Sequence, residues 1–178
     1  MAEASSDNLR KFLESDDSAM ILLGLSMARG SAKASNEILG MVLGLYLFHN
    51  DKEIRSIAKT TFGKLAPSDL RKTVKNYWQA EYRTQAWIWD GWMQKMVLDI
   101  EDTGINTTYL LARGLISPTE EVDDVRSSIL DMLGKRDLSE SHITVRSFLK
   151  NLTSISRWGY KHQGNVEAAS KILKELDL

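Results

Sequence analysis

The sequence predicts an all-α protein made of antiparallel helix pairs. Apolar residues recur at spacings of three and four in one segment after another, which is the period of a helix with one buried side. Most of these segments begin at Ser, Asp or Asn, the residues that cap helix N-termini. Only two prolines, Pro67 and Pro118, interrupt a chain of 178 residues. No segment alternates apolar and polar residues as a strand would, so we predict about nine or ten helices in one domain, residues 1–178.

The first two predicted helices begin at hydroxyl or acidic caps. Ser6 or Asp7 starts a short helix that runs to about Glu14. Asp17 caps the second helix, which ends at Arg29 and Gly30, a pair of the kind that closes helix C-termini. The apolar period of this second helix predicts the following buried side: Met20, Leu23, Gly24, Met27 and Ala28.

The third and fourth helices are separated by a polar turn. Ser35 caps the third helix, in which Gly40 and Gly44 remove bulk from one face and let another helix approach closely. Asp51 caps the fourth helix, and Pro67 stops it and allows a fifth to begin. The predicted buried side of the fourth helix consists of Ile54, Ile57, Ala58, Thr61, Phe62 and Leu65.

Four of the five tryptophans lie between residues 78 and 92, where the period predicts a helix over residues 84–100. Trp89 and Trp92 fall on one face of this helix, whereas Trp87 and Leu98 fall on nearly the opposite face. A helix that is apolar on two sides is usually buried between layers, so we expect a central structural helix. The alternative is that Trp87 or Trp92 is partly exposed and anchors a partner, because Trp is common at binding hot spots.

Cap signals divide the rest of the chain into four more helices. The helix of the tryptophans ends at the Asp-Thr-Gly of residues 102–104. The clearest start is Ser117, followed by Pro118 at the first helical position and Glu120 at the third, which together form a capping box. That helix ends at Gly134. The other three helices start at Asn106 or Thr107, at Ser139 and at Asn165.

An internal repeat relates the second and fourth helices. Placing Asp17 over Asp51, an offset of 34 residues, aligns two apolar series. Met20 then falls on Ile54, Leu23 on Ile57, Gly24 on Ala58, and Ala28 on Phe62. An offset of 71 from the fourth helix places Val125-Arg126 on Ile54-Arg55 in the same way. One helix pair cannot bury its apolar face alone, so repeated pairs are expected to stack.

The fourth helix resembles the second helix of a HEAT unit. Its sequence is Asp51-Lys-Glu-Ile-Arg55-Ser-Ile-Ala58-Lys-Thr-Thr-Phe62-Gly-Lys-Leu65, with an acidic cap, an aliphatic residue, Arg, then Ala and an apolar residue one turn on. The resemblance covers residues 7–66 best and residues 117–157 less closely. It implies a short HEAT-like α-solenoid of antiparallel helix pairs, in which the second helices line a concave surface.

Composition and motifs argue against several classes of protein. A net charge of −1 gives no overall attraction for nucleic acid or an anionic membrane. The chain has no cysteine, and its N-terminus lacks the pattern of a signal peptide, so we expect a cytoplasmic protein with no membrane partner. It contains no phosphate-binding loop, nucleophile elbow or dinucleotide fingerprint, and we therefore expect neither an enzyme nor a cofactor. Residues 99–104 resemble the start of a calcium loop, but Leu110 stands where Glu is needed, so we expect no metal site.

An uneven charge distribution is the best indication of a binding surface. Residues 52–83 contain eight Lys or Arg against three acids, and residues 117–140 contain three against seven. Such runs are usually solvated faces, but a basic surface beside aromatic rings can also bind an acidic peptide or a nucleic-acid backbone. The candidate binding residues are Lys52, Arg55, Lys59, Arg83, Trp87, Trp89, Asp90 and Trp92.

We therefore expect a non-enzymatic interaction module, a HEAT-like scaffold that binds another protein through a basic and aromatic concave face. The alternative is a nucleic-acid-binding protein similar to the HEAT-like alkylpurine DNA glycosylases, which use Trp and Asp in a basic cleft. Arg83, Trp89, Asp90 and Trp92 would then line that cleft. A third alternative is a homo-oligomer, with Trp87 and Leu98 buried between copies.

Overall fold

All elements of the described chain are helical. The computed structural model describes residues 2–31, 33–49, 51–77, 89–115, 123–136 and 170–175. These ranges contain no strand, which confirms the predicted all-α class. Residues 170–175 are helical. The other helices are α1 (Ala2–Glu14), α2 (Ser18–Gly30), α3 (Asn36–Phe48), α4 (Lys52–Leu65), α5 (Ser68–Tyr77), α6 (Trp89–Asp102), α7 (Thr108–Leu115) and α8 (Asp123–Gly134).

Side-chain caps set the beginnings of the helices as predicted. Asp17, Ser35 and Asp51 have extended backbones and accept hydrogen bonds from amides in the first turns of α2, α3 and α4. Asn106 Oδ1 accepts from the amide of Thr108 at 2.9 Å, at the start of α7. Each cap satisfies amides that a helix leaves without an internal partner, so these boundaries follow from local chemistry.

Two boundaries differ from the sequence prediction, and a third agrees with it. α1 begins at Ala2 rather than after Ser6 or Asp7, since Ala and Glu are good helix formers and extend it backwards. Gly30 is the last residue of α2 and not a left-handed cap, because Ser31 leaves the helix in an extended conformation. Among described residues Gly104 alone has a positive φ, 94°, and it follows α6 where the Asp-Thr-Gly turn was predicted. The described part of the tryptophan helix begins at Trp89, and residues 78–88 lie outside it.

The third helix occupies the centre of the described structure. From Ile38 to Phe48 every residue of α3 is buried except Tyr46, and the helix packs against α1, α4 and α7. The sequence predicted this central position for the tryptophan helix instead. In α6, Met96, Val97 and Ile100 are buried, but Leu98 is 60% exposed, so the second apolar side of that helix is not covered at this position. The predicted burial is wrong at Leu98, because two apolar sides can be counted from sequence whereas their coverage depends on neighbouring helices; for the tryptophans, whose side chains lie outside the described residues, it stays a prediction.

Two glycines let α7 lie directly against α3. A Cβ atom on Gly40 would stand 2.7 Å from the carbonyl oxygen of Asn106, which is so close that the backbone at Asn106 would have to shift. A Cβ atom on Gly44 would stand 3.2 Å from the Cα atom of Leu110. The predicted close approach of another helix is therefore confirmed: Gly44 lies against α7, and Gly40 lies against the turn before it.

Helix α2 is turned by about one residue from its predicted orientation. Its buried residues are Ile21, Gly24, Leu25 and Ala28. Met20 and Leu23, which the repeat aligns with Ile54 and Ile57, are 39% and 47% exposed. In α4 the prediction holds better: Ile54, Ala58, Thr61 and Phe62 are buried, and Ile57 and Leu65 are half-buried. The two caps are thus equivalent, but the aligned residues of the two helices are not buried alike.

The first four helices form two pairs that lie side by side. α1 packs against α2 and α3 against α4, while α1 also contacts α3 and α2 contacts α4. The first helices of the pairs therefore form one layer and the second helices another. α7 then packs against α3, and α8 packs against both α6 and α7. These contacts agree with stacked pairs over residues 2–65, and the solenoid as a whole stays a prediction.

Candidate functional site

Helix α4 displays cations on the side that faces away from the core. Asp51 Oδ1 accepts from the amides of Glu53 and Ile54 at 2.8 and 3.2 Å, which fixes the start of the helix. Ile54 and Ala58 then point inwards, and Lys52 and Lys59 lie on the opposite, exposed side. The structure thus places two of the three predicted α4 cations in solvent.

Arg55, the third predicted cation, is half-buried and has a structural contact. Its Nη1 donates to the carbonyl oxygen of His49 at 2.7 Å, at the carboxyl-terminal end of α3. A cation there satisfies a carbonyl left over at the helix end and opposes the negative end of the helix dipole. Arg55 therefore joins α4 to α3, a role that a count of charges does not reveal.

The turn between α3 and α4 contains a buried histidine. His49 Nδ1 accepts from the amide of Asp51 at 3.0 Å. Burial, together with the charges of Arg113 and Arg55, lowers the pKa of His49 to about 4, and Asp51 opposes this shift. His49 is consequently neutral at physiological pH, as an acceptor for an amide must be. Arg113 is itself buried and donates from Nη2 to the carbonyl oxygen of Leu13 at 3.2 Å, and burial lowers its pKa to about 10.

Further cations gather where α2 and α4 end. Lys64 Nζ donates to the carbonyl oxygen of Arg29 at 2.6 Å, so the carboxyl-terminal ends of the two helices lie side by side. Arg71 Nη1, on α5, donates to the carbonyl oxygen of Gly63 at 3.0 Å. Lys72 and Lys75 are exposed on the same helix. We call the six exposed cations of α4 and α5 the basic surface: Lys52, Lys59, Lys64, Arg71, Lys72 and Lys75.

The basic surface has little negative charge to balance it. The acids between residues 52 and 77 are Glu53 and Asp69, both exposed. Within the described part of the chain, none of the six cations forms an ion pair; the ion pairs found there belong to Arg10, Lys135 and Arg136. The basic half of the predicted charge asymmetry therefore consists of exposed side chains on α4 and α5, and Arg71 connects the two helices through the carbonyl oxygen of Gly63.

The side chains of the predicted aromatic site lie outside the described residues. Arg83 and Trp87 lie outside the described residues. Trp89, Asp90 and Trp92 lie in the first turn of α6, and their side chains are outside the described part. α6 packs against α5, where the Tyr77 hydroxyl donates to the Asp99 carboxylate, a hydrogen bond that raises the pKa of Tyr77. The aromatic contribution to the site stays a prediction.

Residues outside the basic surface line two open grooves in the described part of the chain. One, of about 510 Å³, lies between α6, the turn before α7 and the end of α8, and is lined by Leu98, Ile105 and Met132 among others. The other, of about 370 Å³, lies between α8 and residues 170–175. In the described ranges no group of three His, Asp or Glu could hold a metal ion. None of the described helices is both long and apolar enough to cross a bilayer.

Sequence reasoning missed two exposed residues of α2, Met20 and Leu23. It placed them on the buried side because they continue the spacing of Gly24, Met27 and Ala28. The series Ile21, Leu25 and Ala28 has an equally good helical spacing and would have exposed Met20 and Leu23. In comparisons with known proteins, no family, no curated protein and no solved structure matches this chain.

Proposed function

We propose that this chain is a non-enzymatic, cytoplasmic interaction module, a HEAT-like helical scaffold whose basic surface binds an acidic segment of a partner protein. One observation carries the proposal: six exposed cations on α4 and α5 have no acidic partner in the described part of the chain. A concentration of one sign of charge raises the local potential and accelerates association with an oppositely charged partner. The cytoplasmic location rests on the sequence, which has no cysteine.

The HEAT-like stacking is part of this proposal. It is supported by the two helix pairs of residues 2–65, whose first helices contact each other and whose second helices contact each other. In such a stack the second helices, α2 and α4, share one outer surface. The acidic partner would then lie along the exposed side of α4, which packs against α2.

A protein partner fits the charge distribution better than nucleic acid does. The whole chain carries a net charge of −1, so acids elsewhere offset the basic surface. A long polyanion would meet the repulsion of those acids, whereas a short acidic segment would contact the basic surface alone. Binding to nucleic acid is therefore the alternative outcome of the test below.

Fluorescence anisotropy with two labelled probes tests the proposal. The probes are a polyglutamate peptide and an oligothymidylate of about the same length, each measured at about 50 and 200 mM salt. We expect the peptide to bind, with an affinity that falls as the salt concentration rises. The double variant Lys59→Glu and Lys72→Glu should weaken this binding by roughly tenfold or more.

The matched control is Lys174→Glu, which reverses an exposed lysine outside the basic surface. It should leave the affinity for polyglutamate unchanged. An oligothymidylate affinity higher than that of the peptide would support the nucleic-acid alternative instead. If neither probe binds at low salt, or if Lys174→Glu has the same effect as the double variant, the basic surface is not a binding site.

A further inference from the structure

The outer side of α2 presents apolar side chains to solvent. Met20 and Leu23 are exposed one turn apart, and the half-buried Met27 continues their line at the next turn. In the described residues the other exposed large apolar side chain is Leu98, on α6. We call Met20, Leu23 and Met27 the apolar ridge. Its spacing of three and four residues is the one with which one helix meets the side of another.

The apolar ridge and the basic surface belong to neighbouring helices. α2 packs against α4, and the contact from Lys64 Nζ to the carbonyl oxygen of Arg29 joins their ends at 2.6 Å. α2 and α4 both turn their buried sides towards the layer of α1 and α3, so their exposed sides face the same way. A ligand that covers both helices therefore meets methionine and leucine on one side and lysine on the other.

The charges of this two-helix surface are arranged unevenly along its length. Arg29 is the charged residue of α2, and it lies in the last turn next to Lys64. Two exposed acids, Asp16 and Asp17, lie at the opposite end of the helix, where Asp17 is the cap. Positive charge thus accumulates at the carboxyl-terminal ends of α2 and α4, and a ligand's carboxylates would lie there.

We propose that the ligand of this surface is an acidic amphipathic helix of a partner protein. Its apolar residues, one turn apart, cover Met20 and Leu23, and its carboxylates reach Lys59, Lys64 and Arg29. This inference rests on the proposed function and specifies its partner. Methionine adapts its shape to different apolar surfaces, and helical ligands are recognised through apolar anchors at such spacings. Nucleic acid fits the apolar ridge less well, since the bases of a single strand stack mainly on aromatic rings and its backbone contacts cations.

Anisotropy with two further labelled peptides tests the inference. Both contain the same Glu and Leu residues over about 18 positions; in one the Leu residues fall on one helical face, and in the other the order is scrambled. We expect the amphipathic peptide to bind roughly tenfold more tightly than the scrambled one, and less salt-dependently than polyglutamate. Equal affinities of the two peptides would overturn the inference, although the polyglutamate result would still support the proposed function.

Variants of the apolar ridge separate the two proposals further. The double variant Met20→Ser and Leu23→Ser should lower the affinity for the amphipathic peptide roughly tenfold and leave the affinity for polyglutamate unchanged. Leu98→Ser removes an exposed leucine of α6 and is the matched control, with no expected effect on either peptide. Circular dichroism melting shows whether each variant is folded, and these exposed positions should tolerate the changes. If Leu98→Ser weakens the amphipathic peptide as much as the double variant does, the ridge is not the binding site.

Discussion

α2 and α4 begin with the same kind of cap, but the sides that they expose to solvent have different character. Asp17 Oδ1 accepts from the amides two and three residues later at 2.8 and 3.3 Å, and Asp51 Oδ1 does the same at 2.8 and 3.2 Å. Beyond these caps, α4 combines a buried apolar side with exposed lysines, whereas α2 is apolar on most of its circumference. The difference teaches that a cap fixes where a helix begins, but it does not decide which side of the helix is buried.

The same comparison extends to the residue two positions before each cap. The amide of Asp17 donates to Ser15 Oγ at 3.0 Å, and the amide of Asp51 donates to His49 Nδ1 at 3.0 Å. The two turns therefore have the same hydrogen-bond pattern with different acceptors. A serine hydroxyl does not titrate between pH 4 and 6.5, whereas the imidazole of His49 gains a proton in this range on unfolding, so the turns should respond differently to pH.

The largest expected effect distinguishes the two possible orientations of α2. Ile21→Ala and Ile54→Ala should each lower the free energy of unfolding by about 2–5 kcal/mol, because each removes a fully buried side chain. Met20→Ala should change it by less than about 1 kcal/mol, since Met20 is exposed. Urea unfolding of the three variants measures the difference. If Met20→Ala costs as much as Ile54→Ala, the orientation given by the cap alignment is correct and the observed one is wrong.

The second largest effect is a pH dependence of stability, and it comes from the histidine in the turn before α4. The pKa of His49 is lowered from 6.5 to about 4 in the folded protein, so between these values the unfolded chain binds the proton more strongly. The stabilisation is complete above pH 6.5 and is lost as the pH falls towards 4, by roughly 2–3 kcal/mol in all. Urea unfolding at several pH values measures this loss.

The control for the pH effect is His49→Asn, whose Oδ1 can accept the same amide but does not titrate. The variant should lose the part of the pH dependence that lies between pH 6.5 and 4, while the carboxylates of the chain continue to contribute at lower pH. An unchanged pH profile in His49→Asn would show that His49 is not the group responsible.

The smallest expected effect tests whether the two caps are equivalent. Asp17→Ala and Asp51→Ala should each cost about 1 kcal/mol, because each leaves two amides in the first turn of a helix without the side-chain acceptor. Thermal unfolding of both single variants and of the double variant gives the values. The two losses should add within about 0.5 kcal/mol. A loss at one position only would mean that the shared geometry does not imply a shared contribution.

The local features of this fold could be read from the sequence. The caps at Asp17, Ser35 and Asp51, the break at Pro67 and the turn ending at Gly104 all agree with the structure. Each depends on contacts within a few residues of the chain, so the relevant partners are visible in the sequence itself. The charge asymmetry behind the basic surface was also visible, because α4 is strongly amphipathic and its polar side must face solvent.

Three features could not be predicted from the sequence: the orientation of α2, the structural contact of Arg55 and the position of α7. In α2 two apolar series have equally good helical spacing, and the layer of α1 and α3 selects between them. Arg55 was predicted only as a binding residue, and the structure adds a contact of its guanidinium with a carbonyl at the end of α3. Gly40 and Gly44 predicted that another helix approaches α3 closely, but only the packed structure shows that this helix is α7.

The sequence by itself determined that the chain forms helices, where most of them begin and end, and where the cations accumulate. The tertiary structure decided which helix lies at the centre, which side of α2 meets solvent, and which cations are exposed. The physical reason is the range of the interactions: caps and turns act over two to four residues, whereas burial depends on helices that are distant in sequence.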